Sequence, residues 1–235
     1  MIAPIETFLA DLRAPLERDP AANGWLDVVL SYPGFHAIVA HRAIHVLYRR
    51  KVPIVPRFLA HWVRFVTGIE IHPGATIGRG FFIDHGMGVV IGETTEVGDG
   101  VTIYQGVTLG GTSLQRGKRH PTLGDGVVVG LNAAVLGAIT IGANARVGAG
   151  SIVVKDVPPN STVVGIPGRV VLQDGKPVAV PSRPQVDLPD PNAPMILQLQ
   201  ERVAALEALM HSARTGTVKK VSATFDDDGL DAAAL

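Results

Sequence analysis

One histidine in the middle of the chain has acidic residues at spacings that suit proton transfer. Asp84 and His85 are adjacent in the string FIDHGMGVVIGE, and Glu70 stands fifteen residues before His85. A carboxylate partner fixes the tautomer of an imidazole base and stabilises its charged form. If this segment coils, Glu70 stands close to one turn before His85, and the two could face each other across adjacent turns. Such a base could activate an alcohol, which is barely ionised at neutral pH.

A second candidate region is a polar and cationic stretch between Leu109 and Leu123. Its sequence, GTSLQRGKRHPT, has no aliphatic rhythm. We therefore expect residues 112–121 to form a protruding loop, with Gly117, Lys118, Arg119 and His120 at an exposed tip. Exposed loops on a rigid scaffold often carry functional residues.

The element that must position these residues is a six-residue repeat. An aliphatic residue recurs at every sixth position in three runs, from Ile71 to Ile83, from Ile91 to Leu109 and from Leu123 to Val153. Glycine is concentrated here, with 22 of the 27 glycines between Gly68 and Gly168. Period six fits neither the 3.6-residue period of a helix nor the alternation of an ordinary strand. It predicts a mainly β coil over 68–171, whose short strands turn a corner once per repeat and point the aliphatic residue inward.

The segment before the coil is predicted to be helical. Residues 1–67 read as short helices, of which the clearest are Gly34–Arg50 and Pro56–Val66. A proline near the start of each suits the first turn of a helix, where a backbone N–H has no intrahelical partner.

The segment after the coil reads as three pieces. Six prolines predict a stiff linker without sheet potential over 172–194. Residues 195–211 are predicted to form an amphipathic helix, and residues 212–235 a disordered tail. The helix is indicated by apolar residues in 3-4-3-4 spacing, which are Ile196, Leu199, Val203, Leu206 and Met210.

The composition excludes several classes of protein. Lys+Arg and Asp+Glu both number 21, so there is no basic field for nucleic acid. The absence of cysteine excludes disulfides, thiolate metal sites and thiol nucleophiles. No apolar run approaches the roughly 20 residues of a membrane helix, and the acidic start lacks the apolar core of a signal peptide. These features predict a cytoplasmic protein.

The repeat resembles the hexapeptide-repeat acyltransferase superfamily. Members of that superfamily fold as left-handed parallel β-helices and form trimers with active sites between neighbouring subunits. The strings DHGMGVVIGET, KRHPTLGD and VVGIPGRVV, together with RDPAA at Arg18–Ala22, are similar to bacterial serine acetyltransferases. This resemblance, which covers about residues 17–172, implies acetyl transfer from acetyl-CoA as co-substrate to L-serine, without a metal. The product, O-acetyl-L-serine, belongs to cysteine biosynthesis.

The resemblance also implies a role for each matching residue. His85 corresponds to the general base and Glu70 to its carboxylate partner, where many family members have Asp. The residues implied to bind the amino acid are Asp19, Asp84, Arg119 and His120. The residues implied to line the groove for the pantetheine arm are Gly111, Thr112, Gly130 and Ala149.

Other readings stay open at this point. A trimer or a pair of trimers is expected; the helical part is shorter than in the larger family members. Those members often end in Ile, which docks into cysteine synthase (O-acetylserine sulfhydrylase), whereas this chain ends Ala-Ala-Ala-Leu. Alternative functions are acetylation of a sugar or another alcohol, a zinc enzyme resembling γ-carbonic anhydrase that uses His85 and His120, and a non-catalytic assembly protein. His41 and His45 have ligand-like spacing, but packing or surface placement is the favoured interpretation.

Overall fold

The computed structural model describes residues 4–178 and 193–214. The chain divides into two compact units, Met1–Pro181 and Ser182–Leu235, which are described separately. In the described part, no helix is long and apolar enough to cross a membrane.

Four helices precede the first strand, as the sequence predicts. They are α1 (Pro4–Arg18), α2 (Trp25–Ser31), α3 (Pro33–Arg49) and α4 (Val55–Thr67). Both predicted helices are confirmed within two residues at each end. The first turns of α3 and α4 contain Pro33 and Pro56.

Short parallel strands follow, and each pairs with the third strand along the chain. The chain therefore completes one turn of a coil every three strands. The first sheet contains β1 (Glu70–Ile71), β4 (Val90–Ile91), β7 (Thr108–Gly110), β10 (Ala134–Leu136) and β13 (Ile152–Val153). The second contains β2 (Thr76–Ile77), β5 (Glu96–Val97), β8 (Thr122–Leu123) and β11 (Thr140–Ile141). The third begins with β3 (Phe82–Ile83), β6 (Thr102–Ile103), β9 (Val128–Val129) and β12 (Arg146–Val147).

The aliphatic residues of the repeat form the core of the coil. All thirteen are buried, and none is more than 9% exposed. They also align from turn to turn: Ile71 pairs with Ile91, Ile91 with Leu109, and Leu109 with Val135. Burying one such side chain contributes roughly 1.5–3 kcal/mol, so these stacks are a large favourable term in folding. The predicted coil, with one aliphatic residue inward per repeat, is confirmed.

The third sheet ends in antiparallel strands that the sequence analysis missed. After β14 (Ser161–Val164), β15 (Arg169–Gln173) pairs antiparallel with β14 and with β16 (Lys176–Pro177). Asp174 and Gly175 connect β15 and β16, and both have positive φ (48° and 73°), as a two-residue type I′ hairpin turn requires. The prediction that residues 172–177 lack sheet potential is wrong, because an Asp-Gly pair between strands is a hairpin signal. Residues 179–192 of the predicted linker lie outside the described residues.

The second unit contains one described helix, α5 (Ala193–Arg214). It includes the whole helix predicted over 195–211, but its apolar side chains are not confined to the predicted stripe, since Leu197 and Leu209 lie outside that stripe and are also more than half exposed. The side chains of Leu199, Val203, Leu206 and Met210 are all more than half exposed. Of the tail predicted over 212–235, residues 215–235 lie outside the described residues, whereas residues 212–214 continue α5.

Candidate active site

Two kinds of corner of the coil carry the candidate residues. Segments that lead from the third sheet into the first, such as residues 84–89 and 130–133, are called here the base corner. Segments that lead from the first sheet into the second, such as residues 92–95 and 111–121, are called the loop corner. The two corners lie at opposite ends of the first sheet's strands.

His85 lies at the base corner with its side chain exposed to solvent. Its φ of 58° is in the left-handed region, which costs a non-glycine residue on the order of 1 kcal/mol. The corner folds over the start of β1, since the Gly88 N–H donates to the Gly68 carbonyl at 3.0 Å. Asp84, which precedes His85, is half-buried. The strained corner thus presents an imidazole beside a carboxylate at the surface.

A second carboxylate is fixed near His85 by the helices. Asp19 follows α1, and its Oδ2 accepts a hydrogen bond from the Tyr32 hydroxyl at 2.7 Å, while its Oδ1 accepts one from the Ala21 N–H at 2.8 Å. These bonds lower the pKa of Asp19, the bond from Tyr32 most, and the charge of His85 adds a smaller effect in the same direction. The same bond raises the pKa of Tyr32 to about 12. Asp19 is therefore ionised at neutral pH.

Glu70 is not in contact with His85 in this chain. Within the described residues, no hydrogen bond or ion pair joins the two side chains; the Glu70 carboxylate instead lies 3.3 Å from Nε of Arg64. The reason is the length of the turn. Glu70 aligns with Val90, so this turn takes 20 residues (90 − 70), and His85 stands five residues (90 − 85) before the residue opposite Glu70. Glu70 still begins the strand that lies beneath the corner of His85.

His120 lies at the loop corner and is buried, with only 8% of its surface exposed. This corrects the expectation that it stands at an exposed loop tip; residues 111–118 are exposed as expected. Its Nδ1 lies 2.9 Å from the Thr94 hydroxyl and accepts a 3.3 Å hydrogen bond from the Thr94 N–H. Burial lowers the pKa of His120, and the Arg119 charge lowers it further. His120 is therefore neutral at pH 7.

The imidazole of His120 rests on Gly92. A Cβ at position 92 would overlap Cδ2 and Nε2 of the ring, so only glycine leaves room for it. Nε2 is directed toward Gly111, where a Cβ would lie 3.2 Å away. The loop corner therefore presents the Nε2 edge of a buried, neutral ring beside the glycine-rich start of the loop.

Arg119 is paired with a carboxylate that the sequence analysis did not single out. Its Nη2 donates to Oε2 of Glu93 at 2.5 Å, and the Tyr48 hydroxyl donates to Oε1 of Glu93 at 3.2 Å. The bond from Arg119 is the main cause of a lowered Glu93 pKa. A cavity of about 600 Å³ adjoins this pair and is lined by Glu93, Thr94, Arg119 and loop residues 113–117.

The remaining predicted residues divide between the two corners. Gly111 and Thr112 begin the loop, and Thr112 approaches Gly137 of the next turn. Gly130 and Ala149 lie on adjacent turns of the base corner, where a Cβ on Gly130 would lie 2.7 Å from the Ala149 nitrogen. Within one chain, the candidates thus form a base-corner group and a loop-corner group. The base-corner group is Asp19, Glu70, Asp84, His85, Gly130 and Ala149, and the loop-corner group is Gly111, Thr112, Arg119 and His120.

The histidine pair on α3 packs against the coil. His41 is buried with Nε2 3.1 Å from the Ala75 carbonyl, and Nδ1 of His45 lies 2.8 Å from the Pro73 carbonyl. Burial is the main reason that the pKa of His41 is lowered to about 3. In the part of the chain that the structure describes, no three His, Cys, Asp or Glu side chains are grouped to hold a metal ion.

Known proteins resemble this chain over most of its length. The serine acetyltransferase of Synechococcus elongatus is 57% identical over 202 residues, which is 86% of this chain and 82% of that protein. The chain belongs to the serine acetyltransferase family. Its relative in Bacillus subtilis is 55% identical over 198 residues, 84% of this chain and 91% of that protein. The model of the serine acetyltransferase N-terminal region matches residues 3–40.

A solved structure gives the same result. The crystal structure of Neisseria gonorrhoeae serine acetyltransferase in complex with serine has a TM-score of 0.69 and 48% identity to this chain. The match covers 72% of this chain and 69% of that one. The family membership predicted from the strings around His85 and His120 is therefore confirmed.

Four residues around the site were missed at the level of sequence. Gly92, Glu93 and Thr94 stand in the string DHGMGVVIGET, which contributed to the family resemblance only as a whole. Its polar residues directly after an aliphatic-glycine pair were a usable signal, because such residues lie at a corner. Tyr32 carries no comparable signal, since its partner Asp19 is thirteen residues away on another element.

Proposed function

We propose that this chain transfers the acetyl group of acetyl-CoA to the hydroxyl of L-serine, giving O-acetyl-L-serine and CoA. The observation that carries the proposal is the 57% identity over 202 residues to a serine acetyltransferase. The serine complex of the Neisseria gonorrhoeae enzyme, 48% identical, supports serine as acceptor.

His85 is the general base of this reaction. Its imidazole takes the proton of the serine hydroxyl as the oxygen attacks the thioester carbonyl, which typically contributes 10²–10⁴-fold to rate. The C–S bond then breaks, and the CoA thiolate takes the proton from the imidazolium. Backbone N–H groups at the glycine-rich corners are suited to stabilise the oxyanion. Acetyl-CoA is already activated, so no residue needs to be acylated.

The charges at the two corners match the two ends of serine. Asp19 and Asp84 suit the ammonium group, and the guanidinium of Arg119 suits the carboxylate, which it could bind through two parallel hydrogen bonds. His120 donates from Nε2 to the same ligand. Arg119 would then share its charge between serine and Glu93, with which it is paired in this structure.

Glu70 is the carboxylate partner of His85 in this proposal. It lies at the start of β1, beneath the base corner, and its present partner Arg64 is 57% exposed. An ion pair this exposed is worth about 0–1 kcal/mol, so Glu70 can exchange Arg64 for His85 at little cost.

A complete site requires two chains. The residues proposed to bind serine lie at both corners, at opposite ends of the first sheet's strands, so a second copy must bring its loop corner to the first copy's base corner. We propose a trimer of left-handed parallel β-helices over residues 68–171, with residues 1–67 as a helical segment. The active sites then lie in the clefts between neighbours, and pairing of two trimers is compatible with this arrangement.

The α5 helices are proposed to help hold the subunits together. Leu199, Val203, Leu206 and Met210 occupy alternating d and a positions of two heptads, and their side chains are exposed in the single chain. In a parallel bundle, Arg202 at g and Glu207 at e are the positions that pair between neighbouring helices. Most of the stability of helices in proteins comes from packing of their apolar side chains, so packing of α5 on copies of itself would stabilise it.

The direct test is release of CoA from acetyl-CoA with a panel of acceptors. L-Serine should support release, and a chelator should not reduce it. Release with a sugar but not with L-serine would overturn the assignment.

A further inference from the structure

We propose that Thr94 is a positioning residue for His120: its hydroxyl holds the ring in the tautomer that carries its proton on Nε2, toward the acceptor substrate. The inference rests on the proposed function, since it gives His120 a part in serine binding. Thr94 itself need not touch the substrate.

The first argument is the hydrogen-bond inventory of the Thr94 hydroxyl. Its oxygen accepts the Arg119 N–H at 3.0 Å and the His120 N–H at 3.2 Å. A hydroxyl has two acceptor lone pairs and one proton. Both lone pairs are therefore used, and the proton is left for Nδ1 of His120 at 2.9 Å.

The second argument is that Nδ1 of His120 receives two donors. Besides the hydroxyl, the Thr94 N–H donates to it at 3.3 Å. A ring nitrogen that accepts cannot carry a proton, so a neutral His120 has its proton on Nε2. Gly92 leaves the space that the ring occupies. Thr94 thus sets the tautomer of His120, and Gly92, two residues earlier on the same corner, permits the position of the ring.

The surrounding charges favour the same state. Arg119 and Lys118 on the loop oppose a positive charge on the ring, and Lys118 is itself held by the Thr94 carbonyl at 2.8 Å. Glu93, on the corner with Thr94, favours a positive charge, and His72 of the preceding turn also faces this cluster. Burial of the ring, like the two cations, lowers the pKa of His120, and the effect of burial on this pKa is larger than the opposite effect of Glu93.

The experiment compares Thr94→Val with Thr94→Ser and with a matched control. Valine keeps the shape and removes the hydroxyl, and serine restores it. Thr95→Val is the control, because the hydroxyl of this adjacent residue is buried and has no hydrogen-bond partner among the described residues. Thr94→Val should raise KM for L-serine by about tenfold or more and change KM for acetyl-CoA by less than about twofold. Thr94→Ser and Thr95→Val should stay within about threefold of the parent in both constants.

The second readout is the tautomer itself, from the ¹⁵N shifts of the His120 ring in full-length protein. The parent and Thr94→Ser should show an unprotonated Nδ1, and Thr94→Val should show a mixture. A proton on Nδ1 in the parent would overturn the inference, as would an unchanged KM for serine in Thr94→Val. This readout needs no turnover. If the parent failed to acetylate serine, the proposed function would fail while the Nδ1 assignment was still decided.

Discussion

The Tyr32 hydroxyl donates a 2.7 Å hydrogen bond to the carboxylate of Asp19 and so joins the end of α1 to the residue between α2 and α3. The helical segment thereby reaches the active-site corner, because Asp19 also feels the charge of His85. If Asp19 binds the ammonium group of serine as proposed, this bond gives the helices a direct part in substrate binding.

Replacing Tyr32 by Phe should weaken serine binding without removing the base. Loss of the donor raises the pKa of Asp19 toward its usual value and frees the side chain to rotate. We expect KM for L-serine to rise by roughly three- to tenfold, the size of the loss of one ordinary hydrogen bond, with kcat little changed. Steady-state kinetics at varied serine test this. A loss confined to kcat would show that Tyr32 acts in the chemical step instead.

Replacing His85 and replacing His120 should change different kinetic constants. His85→Ala removes the base and should lower kcat by about 10²–10⁴. His120→Ala removes a binding group and should chiefly raise KM for serine. The comparison is made at saturating serine and acetyl-CoA. If His120→Ala abolished turnover while His85→Ala left it standing, the base would lie on the loop corner.

Acid should destabilise the fold partly through His41. Its pKa is about 3 in the folded chain and near 6.5 when unfolded, so between these values the unfolded chain binds more protons at this position. The free energy of unfolding therefore falls as pH falls from 6.5, by up to about 1.4 kcal/mol per pH unit. His41→Gln, which keeps a donor for the Ala75 carbonyl, should make the decline shallower. Urea unfolding at pH 7 and pH 5 tests this, and parallel curves for both proteins would contradict it.

The absence of cysteine makes the proposed α5 bundle testable by cross-linking. Leu206→Cys, at a d position, should form a disulfide between subunits under mild oxidation, seen as a doubled mass on a non-reducing gel. Ala208→Cys, two residues along and at an f position, is the matched control and should remain monomeric on the gel. Equal cross-linking at both positions would contradict a bundle with this register.

The coil could be predicted from sequence because its core residues recur at a short and regular spacing along the chain. Within each run the aliphatic residues are six positions apart, and burial of Ile103 or Val129 follows from that spacing alone. The Asp174-Gly175 pair was also a local signal, which favours a hairpin. The prolines that follow it favoured a linker, and the linker was predicted instead. The register across the first corner was visible as well, because Ile83 and Ile91 are eight positions apart instead of six, and the two added residues put Glu70 opposite Val90.

The site was only partly predictable for a different reason. His85 and His120 could be recognised from their strings, whereas the contacts that hold them come from distant residues. Asp19 depends on Tyr32, thirteen residues away, and His120 depends on Thr94, 26 residues away. That the two histidines lie at different corners follows from the spacing only when the number of repeats per turn is known, because one repeat does not say which sheet it joins.

The loop over residues 112–121 leaves the register of the coil unchanged. β8 aligns with β5 before it and with β11 after it, as if the loop were absent. Residues can therefore be added, removed or exchanged in the loop without altering the strands below. A descendant of this enzyme could acquire a new acceptor by replacing this one segment, while the helical scaffold and His85 were inherited intact.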